Sequence, residues 1–149
     1  MAKAFSLSEL VIVVAILGIM AAIVLPYFSG EATQAKNAAV KDNLRVLREA
    51  IELYTTKHGG VAPGYTGGSP SGTPDADCFV QQLVIEEECL RRMPENPFND
   101  LATILMVADG DPFPSPATGD YGWIYQPATR TLRIDWPGCD LDNVPYLDY

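Results

Sequence analysis

Glu9 is the residue best placed to do chemistry: a lone carboxylate at the lip of an apolar run, residues 10–25, that carries no charge. An ionised side chain at hydrocarbon depth costs on the order of several kcal/mol unless a cation meets it, so Glu9 needs a partner. The nearest source is the chain's own beginning, Met1-Ala2-Lys3-Ala4. If these four residues are removed, the new α-amine of Phe5 lies one helical turn from Glu9 and on the same face. At about 4 Å and an effective dielectric of about 20, such a pair is worth about 4 kcal/mol before desolvation. That offsets much of the burial cost. Uncut, the amine stays at Met1, four residues further out, and Glu9 loses it. Cleavage therefore acts as an assembly switch.

Other chemistry is sparse. His58 is the only histidine, so a Ser/His/Asp relay would have to use it, and no Cys/His spacing suits zinc. No enzymatic activity is expected. Asp140, Asp142 and Asn143 place oxygen ligands at spacings compatible with calcium, which takes six to eight oxygens. Calcium is thus the one candidate cofactor, and a solvated turn is the simpler alternative. Cys78, Cys89 and Cys139 would face an oxidising compartment if this part of the chain is exported. One pair and one leftover is the simplest count; three reduced thiols is the competing one. A straight helix from Cys78 to Cys89 would hold them about 16 Å apart, beyond the usual Cα limit of about 7 Å. A helix ending near Val84 relaxes that objection, and Cys139 remains open to either partner.

From Phe5 to Phe28 the chain reads Phe5-Ser6-Leu7-Ser8-Glu9-Leu10-Val11-Ile12-Val13-Val14-Ala15-Ile16-Leu17-Gly18-Ile19-Met20-Ala21-Ala22-Ile23-Val24-Leu25-Pro26-Tyr27-Phe28. This stretch resembles, from end to end, the N-terminal cleavage and methylation motif of the type IV pilin and type II secretion pseudopilin superfamily. The resemblance implies a membrane-embedded prepilin peptidase that cuts between Ala4 and Phe5 and methylates the new amine. It also implies that Glu9 is the glutamate meeting an amine during subunit addition, and that Pro26 is the helix-softening proline. One position departs: the residue before the cut is usually Gly, and here it is Ala4. The proline-bracketed segment Met93-Pro94-Glu95-Asn96-Pro97-Phe98-Asn99-Asp100 resembles the turn that leads into the sheet of the major pseudopilin, favouring the secretion branch. The implied partners are further copies of the chain in a filament, the peptidase, an assembly platform with other pilin-like subunits, and the inner membrane, with the head in the periplasm.

These residues require a scaffold. Residues 10–28 nearly reach the length of about 20 that spans a bilayer. Beyond them Val40, Leu44, Leu47, Ile51 and Tyr54 recur at spacings of four and three, one stripe of a continuing helix. Gly59-Gly60 ends it after His58, giving one element of roughly 80 Å at 1.5 Å per residue. Pro26 removes a backbone hydrogen bond in its middle, and Gly18 weakens the same region by about 1 kcal/mol. The expected domain plan is a leader, 1–4; a transmembrane and filament-core helix half, 5–28; and a globular head, 29–149. Within the head, 29–58 is an amphipathic helix, 59–100 a variable loop with a short helix, and 101–149 the sheet and C-terminal loop. The short helix is capped by Asp77 and buries Phe79, Val80, Leu83 and Val84. Residues 103–107 make a short strand, and 122–126 and 131–136 pair as a hairpin across 127–130. The fold class is therefore α+β and pilin-like: one long N-terminal helix, its first half transmembrane, packed on a small antiparallel sheet.

With a net charge of −9 and most acids beyond residue 74, nucleic-acid binding is disfavoured. Lys36, Lys41, Arg45 and Arg48 follow the apolar run and read as a collar that pairs with acidic heads of neighbouring copies. Two rival functions share parts of this pattern. A pilin of a type IV pilus serving adhesion, motility or DNA uptake has the same N-terminus. A binding module tethered by an uncut signal anchor forms no fibre and keeps Met1.

Overall fold

The computed structural model describes residues 6–149, and within the first helix it describes only the backbone of residues 24–30. The fold is α+β. Helix α1 spans Leu7–Lys57, α2 spans Ala76–Val80 and passes directly into a π-helical segment, Gln81–Glu86. Strands β1 (Ile104–Met106), β2 (Trp123–Gln126) and β3 (Thr131–Ile134) follow, with single 3-10 turns at Thr66–Gly68 and Tyr146–Asp148. The chain divides into two compact units, Met1–Ala35 and Lys36–Tyr149.

In the first unit every described side chain from Ser6 to Ile23 is exposed. Residues 10–23 carry no polar face at all. Among the described residues no helix is long and apolar enough to cross a membrane.

The second unit holds the core. Val40, Leu44, Leu47, Ile51 and Tyr54 are all buried, as their spacing predicts, and pack with Phe79, Leu83, Trp123, Tyr125, Leu132 and Ile134. Past Lys57 the helix closes on glycines in the left-handed region, Gly59 at φ +63 and Gly60 at φ +96, with Gly60 N–H donating to the Thr55 carbonyl at 2.8 Å.

The sheet is mixed, where an antiparallel one is expected from the sequence. Its order is β1-β2-β3; β2 and β3 form the expected hairpin, but β1 runs parallel to β2. The reason lies in residues 107–122, a connection exceeding the dozen or so residues that a parallel crossover requires. It carries the chain back so that β2 starts beside the beginning of β1. Central β2 is buried at every position, whereas β3 alternates, with Leu132 and Ile134 inside and Thr131 and Arg133 half-buried.

A second correction concerns α2. Its cap is Asp75 rather than Asp77: Asp75 is extended, and its carboxylate accepts from Cys78 N–H at 2.8 Å. Asp77 sits inside the first turn. Phe79 and Leu83 are buried as expected, and Val80 and Val84 are half-buried.

Candidate functional site

Ala4 and Phe5, the expected cleavage pair, lie outside the described residues, as does the side chain of Pro26. The remaining N-terminal residues form a defined arrangement. Ser6 precedes the helix and its carbonyl accepts the first helical bond, from Leu10 N–H at 3.2 Å. The Glu9 carboxylate reaches back and accepts from Ser6 N–H at 3.0 Å, and the Ser6 and Ser8 hydroxyls lie 2.7 Å apart. Ser6-Leu7-Ser8-Glu9 is thus one half of a capping box, in which the third helical residue satisfies the cap's amide. The Ser-x-x-Glu spacing is the sequence signal for this bond. The negative charge also suits the positive end of the helix dipole.

Helix α1 is continuous as secondary structure across Gly18 and Pro26. A Cβ placed on Gly18 would meet no atom within 4 Å.

The collar behaves differently from its sequence reading. Within the single chain each of its cations has a contact. Arg45 bonds Asp42 and Glu49 on its own helix, each at 2.8 Å, and these carboxylates raise its pKa. Arg48 donates to the Leu132 and Tyr149 carbonyls. Lys36 and Lys41 sit over the rings of Phe98 and Tyr149, 5.6 and 4.7 Å from the centroids. Arg45 thus follows the i, i+3 and i, i+4 rule for exposed helix charges, while the other three reach carbonyls and rings outside α1.

His58 is likewise occupied. It stacks on Tyr54 with centroids 4.0 Å apart and pairs with Glu87 at 3.1 Å, while Lys57 holds the other Glu87 oxygen at 2.9 Å. The Lys57 bond, then the His58 bond, lowers the Glu87 pKa. This ties the end of α1 to the segment after the π-helix.

The proline-bracketed turn is built on two asparagines that sequence reasoning did not single out. Asn96 is fully buried; its side chain accepts from Phe98 N–H at 3.0 Å and donates to the Gly122 carbonyl at 3.3 Å. Asn99 donates to the carbonyls of Gly119 and Tyr121, and the Trp123 indole donates to the Pro94 carbonyl at 2.9 Å.

At the residues expected for calcium the loop closes on its own hydrogen bonds. Asp140 accepts from the N–H groups of Asp142 and Val144 at 2.9 and 2.8 Å, and from the Tyr149 hydroxyl. The Tyr149 bond, then the Val144 bond, holds the Asp140 carboxyl below the usual carboxylate range. Its oxygens are committed to closing the loop, which Asn143 helps turn at φ +61. Among the described residues no group of three or more His, Cys, Asp or Glu converges to hold a metal ion. Cys78 and Cys89 are half-buried and Cys139 is exposed, and all three are free thiols; burial raises the pKa of Cys78.

Compared with known proteins, the chain matches no family model, no curated protein and no solved structure.

Proposed function

We propose that the chain is a structural subunit of a type II secretion pseudopilus, stored in the inner membrane by its N-terminal helix and assembled into a helical filament after removal of residues 1–4. The observation that carries this reading is the first half of α1. The large apolar side chains from Leu10 to Ile23 are 52–64% exposed around the whole helix, and Glu9 heads them. A helix that is apolar all round is stable only when something covers it, either lipid or other protein. The fourteen residues 10–23 measure about 21 Å at 1.5 Å per residue. The apolar sequence runs on to Phe28, about 28 Å, close to the hydrocarbon core of about 30 Å. Lipid suits the stored subunit, and the same helix in other copies suits the fibre.

Glu9 sets the register of addition in this scheme. Its bond to Ser6 N–H satisfies one carboxylate oxygen; the other makes no hydrogen bond among the described residues and would meet the amine of an adjacent copy. The head supports the reading by its plan: the second half of α1 packed against a three-stranded sheet.

The test is Glu9→Ala. The variant should insert and be processed normally, as read by the mass of its N-terminus, yet yield at least tenfold fewer fibres. Normal fibre yield would remove Glu9 from the assembly step.

A further inference from the structure

Among the described residues, every lysine and arginine except two has a partner within the chain. Besides the collar, Lys57 holds Glu87, Arg130 faces Glu52 at 3.6 Å, and Arg133 sits over the Phe113 ring. Arg91 and Arg92 have no hydrogen bond, ion pair or ring contact, and both are exposed. They are two adjacent unpaired cations on a chain of net charge −9. They border a surface groove of about 490 Å³ whose other walls are apolar Val46, Leu90 and Pro94, the Cys89 thiol, Asn43 and a single acid, Glu95. The groove is thus apolar within and positively charged at one side.

The complementary shape and charge occur on the same chain. In the loop 140–144, Leu141 is 65% and Val144 41% exposed. Among the described residues Asp142 and, just beyond, Asp148 make no side-chain hydrogen bond or ion pair. The loop is already ordered by the Asp140 bonds and by the bridge between Cys139 and Pro145, so presenting it to a partner costs little entropy. Lys41 and Arg48 border it, but Tyr149 engages both.

The two surfaces flank the same turns of α1. Asn43 and Val46 line the groove, and Lys41, Leu44 and Arg48 line the cavity beside the loop. At about 100° per residue these sets are centred about 160° apart around the helix. Loop and groove therefore face opposite ways and cannot meet within one chain. We propose that the Arg91–Arg92 groove of one copy receives the Leu141–Asp142 loop of a second copy. Leu141 enters beside Val46, Leu90 and Pro94, and Asp142 and Asp148 meet the two arginines.

A contact between two different patches is heterologous, and if it does not close on itself it repeats without end. That is the contact a filament needs. Stable interfaces bury about 1,200–2,000 Å² in total, and in the filament this contact acts together with helix packing. The inference rests on the filament reading for its setting but can fail separately from it.

The test uses the full chain in cell envelopes, in a background carrying Cys78→Ser and Cys139→Ser, with Leu141→Cys added so that it can react with the native Cys89 of a neighbour. A bifunctional maleimide should give a ladder of dimers and higher species, lost when Cys89→Ser is added. Arg91→Glu with Arg92→Glu, both at exposed positions, should lower the ladder and the fibre yield at least tenfold. Adding Asp142→Arg and Asp148→Arg should restore at least half of each. Fibres without a ladder, or charge reversal without effect, overturn the contact. A ladder in envelopes that yield no fibres keeps the contact and overturns the filament; absence of both overturns both.

Discussion

Single residues show how often this chain answers a polar need locally. Asp135 is fully buried on β3's continuation, where its carboxylate accepts from Thr118 N–H and hydroxyl, each at 2.7 Å, and from Tyr121 N–H at 3.1 Å. Burial pushes its pKa up, and these hydrogen bonds more than reverse that, so Asp135 titrates below the ordinary carboxylate value. A depressed folded-state pKa stabilises the fold above the unfolded value of about 3.9, and that contribution is lost as pH falls through the folded value. Asp135→Asn should therefore cost about 1–3 kcal/mol near neutrality and flatten the acid limb of stability below about pH 4. Urea unfolding midpoints across pH 2–7 check both; an unchanged acid limb removes Asp135 from it. Period-two alternation places Asp135 outside with Thr131 and Arg133. The loop 108–120 folds over it and supplies donors that no spacing rule contains.

Elements differ in how much room they leave. Gly122, at the entry to β2, has no space for a side chain: a Cβ there would sit 2.1 Å from the Leu101 carbonyl oxygen. That oxygen already accepts from Asn96 N–H at 2.9 Å, so it cannot shift without breaking the turn that Asn96 anchors. Gly122→Ala should destabilise the head by more than about 2 kcal/mol, within the range of overpacking losses. Gly18→Ala, in open space on α1, should instead favour the helix by about 1 kcal/mol. Denaturant midpoints for the first and helicity by circular dichroism for the second, both in detergent, check the contrast. Equal effects would mean that Gly122 is not packed as described. Gly18 reads plainly as a weak helix position, whereas the role of Gly122 depends on a carbonyl twenty-one residues away in sequence.

For the molecule as a whole, the proposed assembly turns on the α-amine that cleavage would create at Phe5. If removal of residues 1–4 creates the amine that Glu9 meets, as that proposal requires, a chain that is never cut does not enter the fibre. Ala4→Glu, which places a bulky acid before Phe5, should accumulate full-length precursor in the envelope and reduce fibres at least tenfold. Mass analysis of envelope protein reads the starting residue, and fibres built from uncut chains would refute the switch. The net charge of −9 works in the opposite direction, since like-charged heads repel. The proposed Arg91–Arg92 contact turns part of that repulsion into attraction.

What could be read along the chain was whatever obeys a short period or a local motif. The stripe from Val40 to Tyr54, the glycine stop after it, the β2–β3 hairpin and the apolar run behind Glu9 all depend on neighbours within about four residues. The Ser6–Glu9 cap was equally legible in its Ser-x-x-Glu spacing. What waited for the fold were pairings between distant segments. The direction of β1, the bond from Arg48 to the Leu132 carbonyl, the asparagine staples of the proline-bracketed turn and the donors around Asp135 are each decided by a remote donor or acceptor. A chain in isolation specifies its local conformations through sterics, but a polar group's partner is a matter of three-dimensional competition. That is why Arg91 and Arg92, unremarkable as letters, stand out only beside the engaged lysines and arginines of the described residues.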